Sequence, residues 1–326
     1  MMNQDEFLSQ LRRALDGLSQ ADIEDVLQYY EEMIIDKAAD QGIDEEDVIA
    51  GLGSVADIAK GVRASVAPEA EAELGPADDL GSKVLTAQAD QVRSLVIEAA
   101  NAPLVVKSGS MDTVELRYTE TARIRYDVSH NDKELRLIQR PLPKLLPILF
   151  GRVYPIEVLL PADFAGKADL STSNGAITWE GVSLWGQLTL TTSNGTITLR
   201  NCQAKGITLR SSNASLRAYA ASAQESIVLH TSNGPIKAEE LSGTDITLHT
   251  SNGSIRCMGI AAQDITFKTS NGPIGGALPG HASEYTVTSG TSNASNSLRD
   301  HRHAGPKRLN AHTSNGSIRL HFAQDE

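Results

Sequence analysis

The chain has 326 residues, 40% of them apolar but only 4% aromatic, and a formal net charge of −12. A core so short of aromatics must be filled by Leu, Ile, Val, Ala and Thr, which suits thin stacked β layers and argues against a bulky globule. Two cysteines, Cys202 and Cys257, are too few for a disulfide framework and point to a reduced, cytoplasmic setting.

The acidity sits at one end. Residues 1–80 hold 20 Asp and Glu against 5 Lys and Arg, whereas residues 81–326 hold 21 against 24. The opening Met1-Met2-Asn3-Gln4-Asp5-Glu6 has no apolar run, so no secretory signal is read there. The most apolar stretch, Leu142 to Phe150, contains Pro143, Lys144 and Pro147 and is too short to span a bilayer. No transmembrane segment is expected, and peripheral membrane association stays open.

Residues 5–65 read as four short amphipathic helices. Phe7, Leu8, Leu11 and Leu15 share a helical face, and Gly17 stops it. Ser19 with Asp22 caps a second helix carrying Ile23, Val26, Leu27, Tyr30, Ile34 and Ala38, which ends near Gly42. Asp44 caps a third with Val48 and Ile49, and Ser54 with Asp57 caps a fourth from Val55 to about Arg63. The acids Asp44-Glu45-Glu46-Asp47 are what a helix dipole favours at its start, so no metal or catalytic role is assigned to them.

Phe7-Leu8-Ser9-Gln10-Leu11, Tyr29-Tyr30-Glu31-Glu32 and Leu52-Gly53-Ser54-Val55-Ala56-Asp57-Ile58-Ala59 together resemble the HAAS-type helical domain. That resemblance implies a bacterial signalling context and a protein partner for the head. Such domains are often followed by membrane helices or solenoids. Here the composition of residues 66–91, rich in Ala, Glu, Pro and Gly, reads as a flexible linker.

The remainder repeats. Ser-Asn recurs at Asn174, Asn194, Asn213, Asn233, Asn252, Asn271, Asn293 and Asn315, at intervals of 20, 19, 20, 19, 19, 22 and 22 residues. Six before the Asn stand Leu188, Ile207, Ile227, Ile246, Ile265, Val287 and Leu309. Four before it stand Leu190, Leu209, Leu229, Leu248 and Phe267. Two before it a Thr or Ser recurs, and three after it Ile or Leu recurs except at Asn296. This alternation gives strands with one buried face on each side of a turn. A fainter copy runs from Leu95 to Leu104, so the sheet is expected to start near residue 92. A strand-rich insertion over 107–160 then interrupts the stack or caps it.

Asn-Gly between strands also signals a hairpin. However, Asn213-Ala214 and Asn293-Ala294 keep Asn and lose Gly, and a type I′ turn needs positive φ at that second residue. Stacked coils instead place the Asn amides about 4.8 Å apart, where each bonds the next as a ladder; the Thr column beside it is expected to do the same. The fold class is therefore mainly β: a parallel β-solenoid of eight to nine coils over 92–326, with a small all-α domain over 1–65. The Thr-Ser-Asn-Gly-x-Ile repeat over residues 92–322 resembles the bacterial putative-adhesin family of unknown function, whose name implies no particular ligand.

Function is sought in outward columns. Three before the Asn stand Arg210, His230, His249, Lys268 and His312, and four after it Arg217, Lys237, Arg256 and Arg319. Both columns point outward beside one turn, giving a basic stripe for an anionic polymer, an envelope component or the acidic head. No aromatic platform accompanies it, which excludes specific nucleic-acid binding. A carbohydrate-active enzyme is the alternative, with Asp245, Asp264, Glu239 and Glu240 as its converging carboxylates. His281, His301 and His303 form a weak metal candidate. No phosphate loop, serine elbow or paired cysteine motif is present, and no cofactor or metal is expected. The resulting reading is a non-enzymatic scaffold.

Overall fold

The computed structural model describes residues 2–18, 23–24, 26–27, 30–31, 34, 38, 44–59, 79–121, 124–140, 153–298 and 304–325. The chain divides into a helical unit and a larger β unit.

In the helical unit, the helix Gln4–Ala14 starts at Asn3, whose side chain accepts the Glu6 N–H at 2.8 Å. Phe7 and Leu11 are buried with Leu15, Ile23, Val26, Leu27, Tyr30, Ile34, Val48, Ile49, Ile58 and Ala59 in one cluster. The Phe7 and Tyr30 rings meet edge to face at 5.7 Å. The apolar stripes read from the sequence are thus the faces that pack. Ser19, Asp22 and Gly42 lie outside the described residues. Asp44 stands at the N-cap of Glu45–Gly51 but makes no side-chain cap bond, a correction to its expected role. Ser54 does cap, accepting the Asp57 N–H at 3.1 Å and donating to its carboxylate at 2.6 Å.

The β unit is a parallel stack. A representative coil begins with the strand Gln187–Thr192, turns at Ser193-Asn194-Gly195 and continues as Ile197–Ala204. That second strand bends at Asn201, whose φ is 51°. The bend divides it into four residues and then three, so each coil presents three faces. Gly181, Asn201, Ala220, Glu240 and Gly259 occupy this left-handed corner in successive coils, with φ between 48° and 69°. Leu188, Leu190, Ile197, Leu199, Cys202 and Ala204 point inward and are buried. The next coil repeats the pattern in strict register, with Leu188 over Ile207, Ile197 over Leu216 and Cys202 over Ala221. Each coil cannot bury these side chains alone, so neighbours stabilise one another.

Both ends depart from sequential stacking. Next to the coil of Ser94–Ala99 and Leu104–Ser108 lie Glu134–Gln139 and Ile156–Leu160, added in parallel. Thr113–Thr121 and Tyr126–Asn131 then pair antiparallel with this extra coil and end the parallel stacking on that side. The strand Asp79–Gln88 joins the sheet through Thr113–Thr121, and Ala89–Gln91 is a short 3-10 turn. The second half of the expected flexible linker is therefore structured. Buried Glu120 holds it there, accepting from Lys83 at 2.5 Å, from the Tyr126 N–H at 3.0 Å and from Arg125 at 3.5 Å. Burial alone would raise the Glu120 carboxyl, but these partners outweigh it and keep it below its ordinary value.

At the other end the chain doubles back. Lys307–His312 pairs with Ala261–Lys268 on one side and with Tyr285–Gly290 on the other. The last repeat in sequence is thus inserted before the penultimate one in space. The displaced coil carries polar residues at two inward positions, Ser289 and Asn296, which bond each other at 3.0 Å. Such a coil can end a stack but cannot support a neighbour on both sides.

Candidate functional site

The turn that positions the outward columns is a backbone device. Asn side chains bond one to the next at 2.6–2.7 Å, in the spatial order Asn101, Asn174, Asn194, Asn213, Asn233, Asn252, Asn271, Asn315, Asn293. The Thr column does not bond to itself. Thr250 Oγ1 instead accepts the Gly253 N–H at 3.1 Å and lies 3.4 Å and 3.0 Å from the Ser232 and Gly234 carbonyls of the preceding coil. Thr192, Thr231, Thr269 and Thr313 repeat this, each nearly inaccessible.

The turn glycines serve packing between coils. Among the described residues, the glycines with positive φ are Gly17, Gly53, Gly81, Gly181, Gly259, Gly276 and Gly280, none of them in the Asn turn. A Cβ on Gly253 would instead sit 1.9 Å from the Gly234 carbonyl oxygen. Glycine is favoured because successive backbones touch there, a reason unrelated to turn handedness.

This register sets the basic residues in two columns. Arg210, His230, His249, Lys268 and His312 are consecutive partners on the first face. Arg217, Lys237, Arg256 and Arg319 follow one another on the second, interrupted by Gly275. The columns are therefore on separate sheets. A cavity of about 590 Å³ includes Lys268 and His312, and another of about 410 Å³ includes Lys237, Arg256 and Arg319. Neither takes in members of both columns, so the single stripe becomes two. Among the described residues only Lys237 of these nine has a carboxylate partner, Glu239 at 2.8 Å. The His230 and His249 rings meet edge to face at 4.7 Å. Burial first, then His230 and Lys268, push His249 below its ordinary value.

The profile of the Toastrack DUF4097 family matches residues 92–325. The chain belongs to this family. A second profile, HAAS, matches residues 6–61. A solved structure of a putative cell adhesion protein from Clostridium sporogenes ATCC 15579 aligns at 10% identity over 74% of this chain and 99% of its own, with a TM-score of 0.20, too low to carry any argument. No curated protein matches the chain.

The other candidates on this Toastrack chain separate. Asp245 and Asp264 are register partners on the first face, but Asp264 is bound by Arg308, at 2.6 Å for one of two contacts, which holds its carboxyl below its ordinary value. Glu239 stands on the second face before the left-handed corner at Glu240. The chain turns between these carboxylates, so the convergent cleft expected of them does not form. Cys202 and Cys257 are buried with their thiols pushed up to about 12 by burial. His281 bonds Asp325 at 2.8 Å, while His301 and His303 lie outside the described residues. No cluster of metal-ligating side chains occurs among the described residues. No helix among them is long and apolar enough to cross a membrane.

Sequence reasoning missed the third face. Asp163, Ser183, Gln203, Ser222 and Ser242 form its outward column, and Trp185, Lys205, Gln224, Thr244 and Gln263 follow at the next corner. Trp185 is 68% exposed although Trp179, six residues earlier, is fully buried. Aligning the repeats beyond the Asn turn would have exposed this one aromatic in a polar column.

Proposed function

We propose that this Toastrack protein is a non-enzymatic interaction scaffold, with the HAAS head engaging a protein partner and the solenoid holding an anionic polymer along its basic columns. The observation that carries the reading is the first-face column. Arg210, His230, His249, Lys268 and His312 lack carboxylate partners among the described residues and repeat at the strand spacing of about 4.8 Å. The column stays open to solvent, with one basic side chain (Arg, Lys or His) in each coil. The dispersed carboxylates and buried, protonated cysteines support a role without catalysis.

Retention of the full chain on a carboxylated matrix tests the polymer reading. The wild type should elute late, and later still once pH falls far enough to charge His249, which burial holds below its ordinary value. Arg210→Glu with Lys268→Glu should elute early at every pH, and Arg217→Glu with Arg256→Glu should have a smaller effect. Unchanged elution of the first double variant would sink the reading. High salt should abolish the difference, since these charges face solvent.

A further inference from the structure

The third face carries a feature independent of the basic columns. Trp185 projects from a corner whose other members are Lys205, Gln224, Thr244 and Gln263, so the repeat itself calls for a polar residue there. Its side chain is nevertheless locked. The indole N–H donates to Asp163 Oδ1 at 2.8 Å. The Trp185 backbone N–H donates to the Phe164 carbonyl at 3.1 Å, and the Gly186 N–H to the Gly166 carbonyl at 2.8 Å. A Cβ on Gly186 would lie 2.9 Å from that same Gly166 oxygen, so the tight corner needs glycine. An exposed aromatic fixed at the backbone and at its ring nitrogen is a preorganised platform.

The platform borders a cavity of about 580 Å³ whose other polar lining includes Asp163, Ser183, Gln203, Ser222 and Gln224. Ser183 Oγ accepts the Gln203 N–H at 3.2 Å, which orients this edge. The side-chain amides of Gln203 and Gln224 and the Ser222 hydroxyl make no hydrogen bond among the described residues. Asp163 Oδ2 is likewise open. The site thus offers a flat electron-rich ring, two amides that both donate and accept, a hydroxyl and one carboxylate oxygen.

We propose that Trp185 and this cavity bind a neutral sugar of an oligosaccharide chain. A pyranose ring presents C–H groups on one face, which suit the negative face of an indole, and a rim of hydroxyls that both donate and accept. The lining matches both halves. A purely apolar ligand would leave the amides and Asp163 unpaired on binding, at a cost per buried polar group. A nucleotide would stack equally well on the indole, but no Lys or Arg lines the cavity to meet its phosphate, and Asp163 would repel it. The flat column running on through Ser222 and Ser242 gives a chain of sugars room to continue beyond the platform.

Trp179 and Trp185 are the chain's two tryptophans, and the first is buried. Quenching of intrinsic fluorescence by iodide therefore reports Trp185. With the full-length protein and cellohexaose, chitohexaose and maltohexaose as separate probes, at least one should shield Trp185 from quenching. Calorimetry with that probe should show Trp185→Ala weakening affinity by roughly tenfold or more, the scale of a lost stacking contact. Trp185→Phe should recover most of that loss, and Gln203→Ala should weaken binding by about threefold. Because Trp185 is exposed, its variants should melt with the wild type. No shielding by any of the three sugars, equal affinity of Trp185→Ala, or shielding by a single-stranded oligonucleotide alone would each overturn the proposal. Arg210→Glu with Lys268→Glu should leave sugar binding unchanged, which keeps this site's failure distinct from that of the basic columns.

Discussion

The two corners bounding the second face of each coil solve different problems. At the Asn corner, Thr, Asn and Gly recur because each has a partner in the coil before it: a pair of carbonyls, an amide and a backbone surface. At the left-handed corner, Gly181, Asn201, Ala220, Glu240 and Gly259 share a backbone angle and nothing else. Contact between coils fixes residue identity. A local dihedral requirement fixes only a preference, and a protein can carry an Ala or a Glu there at moderate strain.

The sharpest break of this comparison is Gly253→Ala. The new methyl would meet the Gly234 backbone, which cannot turn aside as a side chain can. Destabilisation of about 3 kcal/mol or more is expected in denaturant melts. The coil of Asn213 shows the escape route. There Ala214 fills the Gly place and Ser211 replaces Thr, its hydroxyl reaching the Ser193 carbonyl and accepting the Ala214 N–H. Adding Thr250→Ser should therefore return part of what Gly253→Ala loses. A Gly253→Ala protein as stable as the wild type would remove the contact argument.

Within the same corner, buried and exposed partners should differ. Thr250→Val keeps the shape but strands the Gly253 N–H and the Gly234 carbonyl in a site with no solvent access, while the Ser232 carbonyl keeps the Ser251 and Asn252 N–H groups, at about 1–3 kcal/mol. Asn252→Ala interrupts an exposed ladder whose ends water can satisfy, at about 1 kcal/mol or less. Equilibrium unfolding of the two variants decides the order, and a larger loss at Asn252 would make the ladder the main support.

The same distinction explains what the sequence could reveal. Inward residues and the Asn column were legible because coil contacts repeat them at near-constant spacing. The role of the Thr hydroxyls was not, since a column of identical side chains suggests bonding among themselves, whereas in the folded chain they turn to the backbone of the preceding coil. The reversed order of the last two coils left one trace, Asn296 at an inward position, whose meaning depended on Ser289 across the core. Asp79–Gln88 read as linker because its attachment to the stack runs through Lys83 and Glu120, 37 residues apart. The third face was hidden for the opposite reason. Its inward residues range from Ala204, Ala221 and Ala223 to Val182, Leu184, Leu241 and Ile260, too irregular to form a motif that marks Trp185 beside them.

The left-handed corner supplies the smallest effect, and one of opposite sign. Ala220 holds φ 48° with an exposed side chain, so Ala220→Gly removes steric strain without removing packing. The strain relief of roughly 1–2 kcal/mol per residue is offset by the greater chain entropy glycine loses, leaving about 0.5–1 kcal/mol of stabilisation. Glu240→Gly should shift in the same direction, and Asn201→Gly least, because Asn tolerates this region best. Glycine thus stabilises this corner for the freedom of its backbone and the Asn corner for its missing side chain. Denaturation midpoints that rise for Ala220→Gly and fall for Gly253→Ala would separate the two roles; a fall for both would mean that coil contact governs each corner alike.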